Sequence, residues 1–198
     1  MGKLKTIYLA LVNRKDNIVK KEEIIKLIGD YHRTLKKVSI KDALWYLSRR
    51  NYIKRIFLDY YYINSIEEKE RGFCNYEDRE LLFEVLNRER IKWYMGSDSA
   101  LNLLGENWQV PNVLTIINNK ISGERKVVGM KVKFIKIKDN LIFGLKKNKT
   151  KNKVTYFYSD LQKTKLDFVY LREQNKVILD KKTREYMREY PRWLQKSI

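Results

Sequence analysis

The stretch from Lys36 to Ile63, KKVSIKDALWYLSRRNYIKRIFLDYYYI, constrains the fold of this chain more than any other. Ser39 suits a helix N-cap, and Asp42 three residues on gives a variant of the capping box. Ile40, Ala43, Leu44 and Leu47 recur at helical spacing and make one apolar face. Lys41, Trp45, Tyr46, Arg49 and Arg50 fall largely off that face. Trp45 borders the stripe, where an indole is more often core than contact. Asn51 stops the helix. From Tyr52 to Ile63 the residues become aromatic and β-branched, with Leu58-Asp59 at the bend, which predicts a hairpin. A basic helix leading into a hairpin rooted in Lys54 and Arg55 has the form of the recognition helix and wing of a winged helix-turn-helix. Such a helix fits the major groove, and a ribbon can lie beside it on the backbone.

Upstream, Leu4, Ile7, Tyr8, Leu11 and Val12 predict an amphipathic helix over residues 3–14, and Ile18-Val19 a very short strand. Glu22 to Asp30 predicts a second helix with Ile24, Ile25, Leu27 and Ile28 inside. Tyr31 to Lys37 reads as a turn that leaves His32 in solvent. Residues 1–66 are thus expected to form the winged module. Glu67, Glu68, Glu70 and Gly72 mark a linker over 67–78, and residues 79–198 an α+β C-terminal domain. In that domain a helix is expected from Tyr76 to Arg90. Ser97 caps a short helix ended by Gly105, and Val113 to Ile117 is a buried strand. Arg125 to Lys138 is a strand or strand pair. Val132 and Phe134 alternate there with Lys131 and Lys133. The parity then flips to Ile135 and Ile137 against Lys136 and Lys138, which predicts a bulge or bend. Leu141 to Leu145 is a further strand, Lys146 to Lys153 a cationic loop, and Val154 to Tyr158 a last strand. Ser159 caps a helix. Lys181 to Gln195 forms another, which Pro191 kinks or divides. The expected class is α+β, with an antiparallel-type sheet in the C-terminal domain.

The 198 residues carry a net charge of +19, and the isoelectric point is about 9.8. That balance favours a polyanionic partner, although a biased genome rich in Lys, Ile and Asn codons would give the same bulk charge. Placement says more. Up to Asn64 there are 15 Lys and Arg against 6 Asp and Glu. Lys36, Lys37, Arg50, Lys54 and Arg55 are expected to meet phosphates, setting affinity and salt dependence. Lys41, Tyr46 and Arg49, on the outer face, are the candidates for base edges, and Ser39 belongs to the same DNA-binding set at the helix start. From Lys120 to Lys153 there are 12 Lys and Arg against Glu124 and Asp139. Lys131, Lys133, Lys136 and Lys138 on that stretch can be a solvated edge that deters aggregation, or a second polyanion surface.

Cys74 and His32 are each the only residue of their kind. No disulfide framework or multi-histidine metal site is available within one chain, so no metal or cofactor is expected, and a reducing cytoplasm is the natural home. No apolar run reaches the ~18 residues of a membrane span. Asp98 with Glu124-Arg125-Lys126 has the residue types of a Mg²⁺-dependent nuclease, in which carboxylates hold the metal and a lysine assists water. Asp98 falls at a helix start and Glu124 in a polar loop, so a non-enzymatic protein is expected. No phosphate-binding loop or nucleophile elbow occurs.

The order of several short motifs carries a resemblance. After the winged module come Tyr94, Gly96, Ser99, Ala100, Leu101 and Gly105, then Gln109, Pro111 and Asn112 leading into a strand, then a Lys-rich strand with Phe134. Last is a helix opening with Ser159, Asp160, Lys163, Thr164 and Asp167. This order resembles the AbiEi-like antitoxin and transcriptional regulator family of type IV toxin–antitoxin systems, across nearly the full chain. The hairpin departs from it in having Leu58-Asp59 where a glycine turn is expected. The resemblance implies a repressor that binds inverted repeats in its own promoter and antagonises a nucleotidyltransferase-like toxin encoded nearby; because operator symmetry mirrors protein symmetry, a homodimer on DNA is expected. A stand-alone transcription factor without a toxin is the alternative. Ser99, Asp160, Lys163 and Asp167 are expected to be structural, with Asp167 tying its helix to a neighbour.

Overall fold

The computed structural model describes residues 2–32, 39–173 and 180–197. The chain is α+β and divides into two compact units, Met1–Val85 and Leu86–Ile198. Among the described residues no helix is long and apolar enough to cross a membrane.

The first unit runs α1 (Gly2–Val12), β1 (Ile18–Lys20), α2 (Lys21–His32), α3 (Ile40–Arg49), β2 (Ile53–Arg55), β3 (Tyr60–Ile63) and α4 (Ile66–Arg71), and α5 (Asp78–Arg88) begins in it. The apolar stripes of the three helices converge: Ile7 and Leu11 of α1, Ile24 and Ile28 of α2, and Ala43 and Leu47 of α3 are fully buried together. α2 extends through His32, so that residue ends a helix and does not sit in a turn; residues 33–38, the rest of the expected turn, lie outside the described residues. The three strands form an antiparallel sheet ordered β1-β3-β2. The central strand, Tyr60-Tyr61-Tyr62-Ile63, is buried throughout. Tyr61 and Ile63 face the helical core. Tyr62 meets Tyr76 edge-on, and its hydroxyl donates to Glu68 at 2.6 Å. The hairpin turns at Leu58-Asp59 as expected: both residues have positive φ (47° and 61°), and the Tyr60 amide donates to the Phe57 carbonyl.

The acidic stretch expected to be a linker over 67–78 is built into this unit. Ser65 and Glu68 close a complete capping box at the start of α4. Glu68 is 1% exposed. It accepts from the Ser65 amide, the Asn75 amide and the Tyr62 hydroxyl. Burial alone would raise its carboxyl pKa, but these donors outweigh burial and hold it below the usual range. Composition marked the run as a linker because it registers charge and not partners. The division between the units falls within α5.

The second unit contains β4 (Trp93–Met95), α6 (Ser97–Leu104), β5 (Val113–Asn118), β6 (Gly123–Val127), β7 (Met130–Lys136), a 3-10 turn (Asp139–Leu141), β8 (Leu145–Lys149), β9 (Thr155–Ser159), α7 (Leu161–Tyr170), α8 (Lys181–Met187) and α9 (Arg192–Ser197). Its sheet is ordered β6-β7-β5-β4-β9-β8. The sheet is mixed, not antiparallel: β5 runs parallel to β7, and β4 parallel to β9. The expected bulge after Phe134 is absent, since β7 pairs with β5 in unbroken register from Lys131 to Lys136. Both faces of β7 are instead covered. Val132 and Phe134 are buried on one face, while Ile135 packs on the other, with Ile137 just beyond the strand in the same cluster as Tyr94, Ile117, Leu166 and Leu194. A parity flip marks a strand sandwiched on both sides as readily as a bulge.

Four further expectations are corrected. The residues expected as a strand from Leu141 lead out of a 3-10 turn, and the run read as a cationic loop forms edge strand β8. Gly96, not Ser97, occupies the N-cap of α6, and the Ser97 hydroxyl donates to Glu173 at 3.1 Å. Asp160, not Ser159, caps α7 through the Lys163 amide. Pro191 divides the C-terminal helix into α8 and α9, as its missing amide requires.

Candidate nucleic-acid interface

α3 is the most amphipathic of the helices in the first unit, and its exposed side is the candidate surface. Ser39 caps it, accepting from the Asp42 amide at 3.1 Å. The Asp42 carboxylate takes the Ser39 hydroxyl at 2.7 Å and does not reach back to a backbone amide as in a full capping box. Ala43 and Leu47 bury completely, whereas Ile40 stays largely in solvent. The buried pair fixes the rotation of the helix, and that rotation sends Lys41, Trp45 and Arg49 outward on one i, i+4, i+8 stripe.

Trp45, which spacing left ambiguous between core and outer face, is 58% exposed. The Arg49 guanidinium lies over the indole, 4.9 Å from its centroid. This contact pre-orders two long side chains at the surface, where each would otherwise lose rotamer entropy on meeting a ligand. The helical spacing Lys41–Trp45–Arg49 was the available signal for Trp45; proximity to the apolar stripe obscured it.

Tyr46, a base-edge candidate, is half-buried. It packs against Tyr52 at 6.4 Å, and the Arg50 guanidinium covers its ring at 5.6 Å. Arg50 is exposed at the C-cap. In the hairpin, Lys54 donates to Asp78 at 2.6 Å with both side chains half-exposed, and Arg55 pairs with Asp59 at 3.4 Å across the turn. Lys41 has no ion-pair partner among the described residues. Lys36 and Lys37 lie outside the described residues.

The four lysines grouped by sequence in the second unit do not share a face. Lys131 and Lys133 lie on one side of β7 and Lys136 on the other, with Lys138 at the start of the 3-10 turn. Lys133 is neutralised by Glu173 at 2.9 Å. Lys133 also lines a cleft of about 530 Å³ with Ser97, Asp98, Glu124 and Glu173. Asp98 and Glu124 therefore line one cleft, but Lys126 is not on that wall, and the lysine present is held by Glu173. Among the described residues no three of His, Cys, Asp and Glu come together as a group able to hold a metal ion.

The remaining motif positions are structural. Ser99 accepts from the Thr115 amide at 3.0 Å, fixing α6 to β5. Lys163 is fully buried, paired with Asp167, and donates to the Tyr190 hydroxyl at 2.7 Å. The rings of Tyr94, Phe143 and Tyr190 surround its ammonium. Asp167 accepts from Tyr94 at 2.8 Å and Tyr190 at 2.6 Å, so it joins α7 to β4 and to the segment between α8 and α9. Burial lowers the Lys163 pKa, and Asp167 opposes the shift. Cys74 is half-buried, and burial raises its thiol pKa, the opposite of a reactive cysteine. Comparison with known proteins assigns no family: no family model matches the chain, and no curated protein matches it.

Proposed function

We propose that the first unit is a winged helix-turn-helix that binds double-stranded DNA through α3, and that the chain is a cytoplasmic, non-enzymatic transcriptional repressor. The observation that carries this reading is the outward stripe Lys41–Trp45–Arg49 on a capped helix, followed at once by a tight two-stranded ribbon. Strand β1 between α1 and α2, pairing with the far strand of the ribbon, is the element order such a module requires. Arg49 and Lys41 reach toward base edges, Trp45 supplies apolar contact suited to a thymine methyl, and Arg50 and Arg55 meet phosphates. Antagonism of a nucleotidyltransferase-like toxin is the proposed task of the second unit, and its support is the AbiEi-like motif order.

The test of DNA reading is fluorescence anisotropy with the DNA upstream of the chain's own gene against a shuffled duplex, across a salt series. A preference that persists at physiological salt supports the repressor. Equal affinities that vanish together as salt rises would overturn it. The antitoxin task predicts that co-expression relieves growth arrest by a nucleotidyltransferase-like neighbour. A missing neighbour would leave the stand-alone regulator.

A further inference from the structure

We infer that the β8–β9 hairpin is a second, sequence-independent surface for duplex nucleic acid, carried by Lys146, Lys147, Lys149, Lys151 and Lys153. The nucleic-acid class of the partner rests on the DNA-binding reading of the first unit; the surface itself rests on the hairpin.

No Asp or Glu lies between Asp139 and Asp160 in the chain. Three exposed lysines elsewhere in this unit are answered by carboxylates: Lys92 by Asp139, Lys133 by Glu173, Lys182 by Asp160. The five hairpin lysines are all exposed, and none has an ion-pair partner among the described residues. Their mutual repulsion is therefore uncompensated within the hairpin.

Protection of a free strand edge accounts for part of this charge. β8 is an edge strand, and Lys146, Lys147 and Lys149 lie on it. Lys151 and Lys153 do not. They sit in the turn, where no ladder remains to block, and the turn is already closed by Lys153 N–H to the Thr150 carbonyl and Thr150 N–H to the Val154 carbonyl. Lys153 also adopts φ 62°. That region disfavours a residue with a Cβ by roughly 1–2 kcal/mol and is normally filled by glycine or asparagine. A cation thus occupies a position where backbone geometry favours another residue. The antiparallel register adds that Lys146 lies opposite Tyr158, and Asn148 opposite Tyr156. The half-buried Tyr158 phenol on that face can donate to a phosphate oxygen beside Lys146. A ribbon with cations on both faces and at its tip suits a duplex backbone, whose charge is dense and periodic.

The experiment uses the full chain in two variants, K146Q/K147Q/K149Q/K151Q/K153Q and the turn-only K151Q/K153Q, with circular dichroism melts to report folding. The turn-only variant changes no strand residue and keeps the test decisive if the fivefold variant fails to fold. Affinity for a random-sequence duplex is measured from low to high salt. Each phosphate contact contributes about 0.9 to the slope of log K against log salt. The turn-only slope is expected to fall by up to about two, and the fivefold slope by up to about four to five. Preference for the upstream DNA over the shuffled duplex stays unchanged in both. Wild-type slopes and affinities in folded variants would overturn the proposal. So would loss of binding to phosphatidylserine vesicles with the duplex slope intact. Arg49→Ala in the same series reports on α3 through the preference, so failure of that reading is seen separately from failure of this one.

Discussion

Two residues show how local chemistry and surroundings compete. Leu58 sits at φ 47° with its side chain largely in solvent. A two-residue turn with positive φ at both positions is the kind that matches strand twist, and it favours Asn or Gly. The turn stands because β3 is paired on both sides and the Lys21 amide donates to the Asp59 carbonyl at 2.8 Å. Leu58→Asn is expected to stabilise the fold by roughly 1 kcal/mol, seen as a higher urea midpoint; a lower midpoint would mean that the leucine makes contacts the turn needs. Lys163 is the opposite case, a charge with no access to water. Lys163→Met leaves the Asp167 carboxylate with only the two tyrosine hydroxyls and is expected to cost about 3–5 kcal/mol, read from chemical denaturation. A cost below 1 kcal/mol would show that Asp167 is content without its cation. The sequence marked Asp167 as a tie between elements, but its partners, Tyr94 and Tyr190, lie far along the chain and carry no local signature.

At the scale of elements, helices were the more legible. The α3 cap, its buried face and its stop follow from spacing that repeats within a dozen residues. What spacing left open was how far the burial of Ala43 and Leu47 would turn the helix, and that decided between Trp45 and Tyr46 for the outer surface. Trp45→Ala and Arg49→Ala should each narrow the preference for the upstream duplex, by roughly 1–3 kcal/mol for a lost base contact. Lys54→Ala should flatten the salt slope by less than the one unit expected of a free phosphate contact, because Asp78 already holds that ammonium. Anisotropy of the three variants on both duplexes checks the division. Equal behaviour of Trp45→Ala and Lys54→Ala would remove the distinction between reading and positioning residues. Strands were harder. The polar run of β8 has no alternation to reveal it, since an edge strand exposes most of its length.

For the whole molecule, pH offers a global test. Burial pushes the Tyr8 hydroxyl up to about 12, and burial likewise raises Tyr62, Tyr94 and Tyr190, each with a nearby carboxylate adding to the shift. These groups stay protonated in the folded chain, while the unfolded chain releases them near the ordinary value of 10.0. Their stabilisation is complete below that value and is lost as pH rises through the folded values. Glu68 works in the other sense: its lowered pKa gives stability present above the ordinary 4.5 and lost as pH falls. Denaturation followed against pH should show an alkaline limb in both units and, in the first, an acid limb to which Glu68 contributes. Glu68→Gln should shrink the acid limb of the first unit, and it should also weaken that unit's alkaline limb, because Glu68 helps raise Tyr62. An alkaline limb absent up to pH 12 would contradict the burial of these phenols. The α+β class, the capped α3, the Leu58-Asp59 bend and the break at Pro191 were determined by the sequence itself, because each depends on residues within a turn or two of one another. The tertiary structure alone decided the parallel pairing of β4 with β9 and β5 with β7, the burial of Glu68, the Lys163–Asp167 centre and the neutralisation of Lys133. Those outcomes depend on which distant groups meet and satisfy one another's charge and hydrogen bonds, and local periodicity does not encode such meetings.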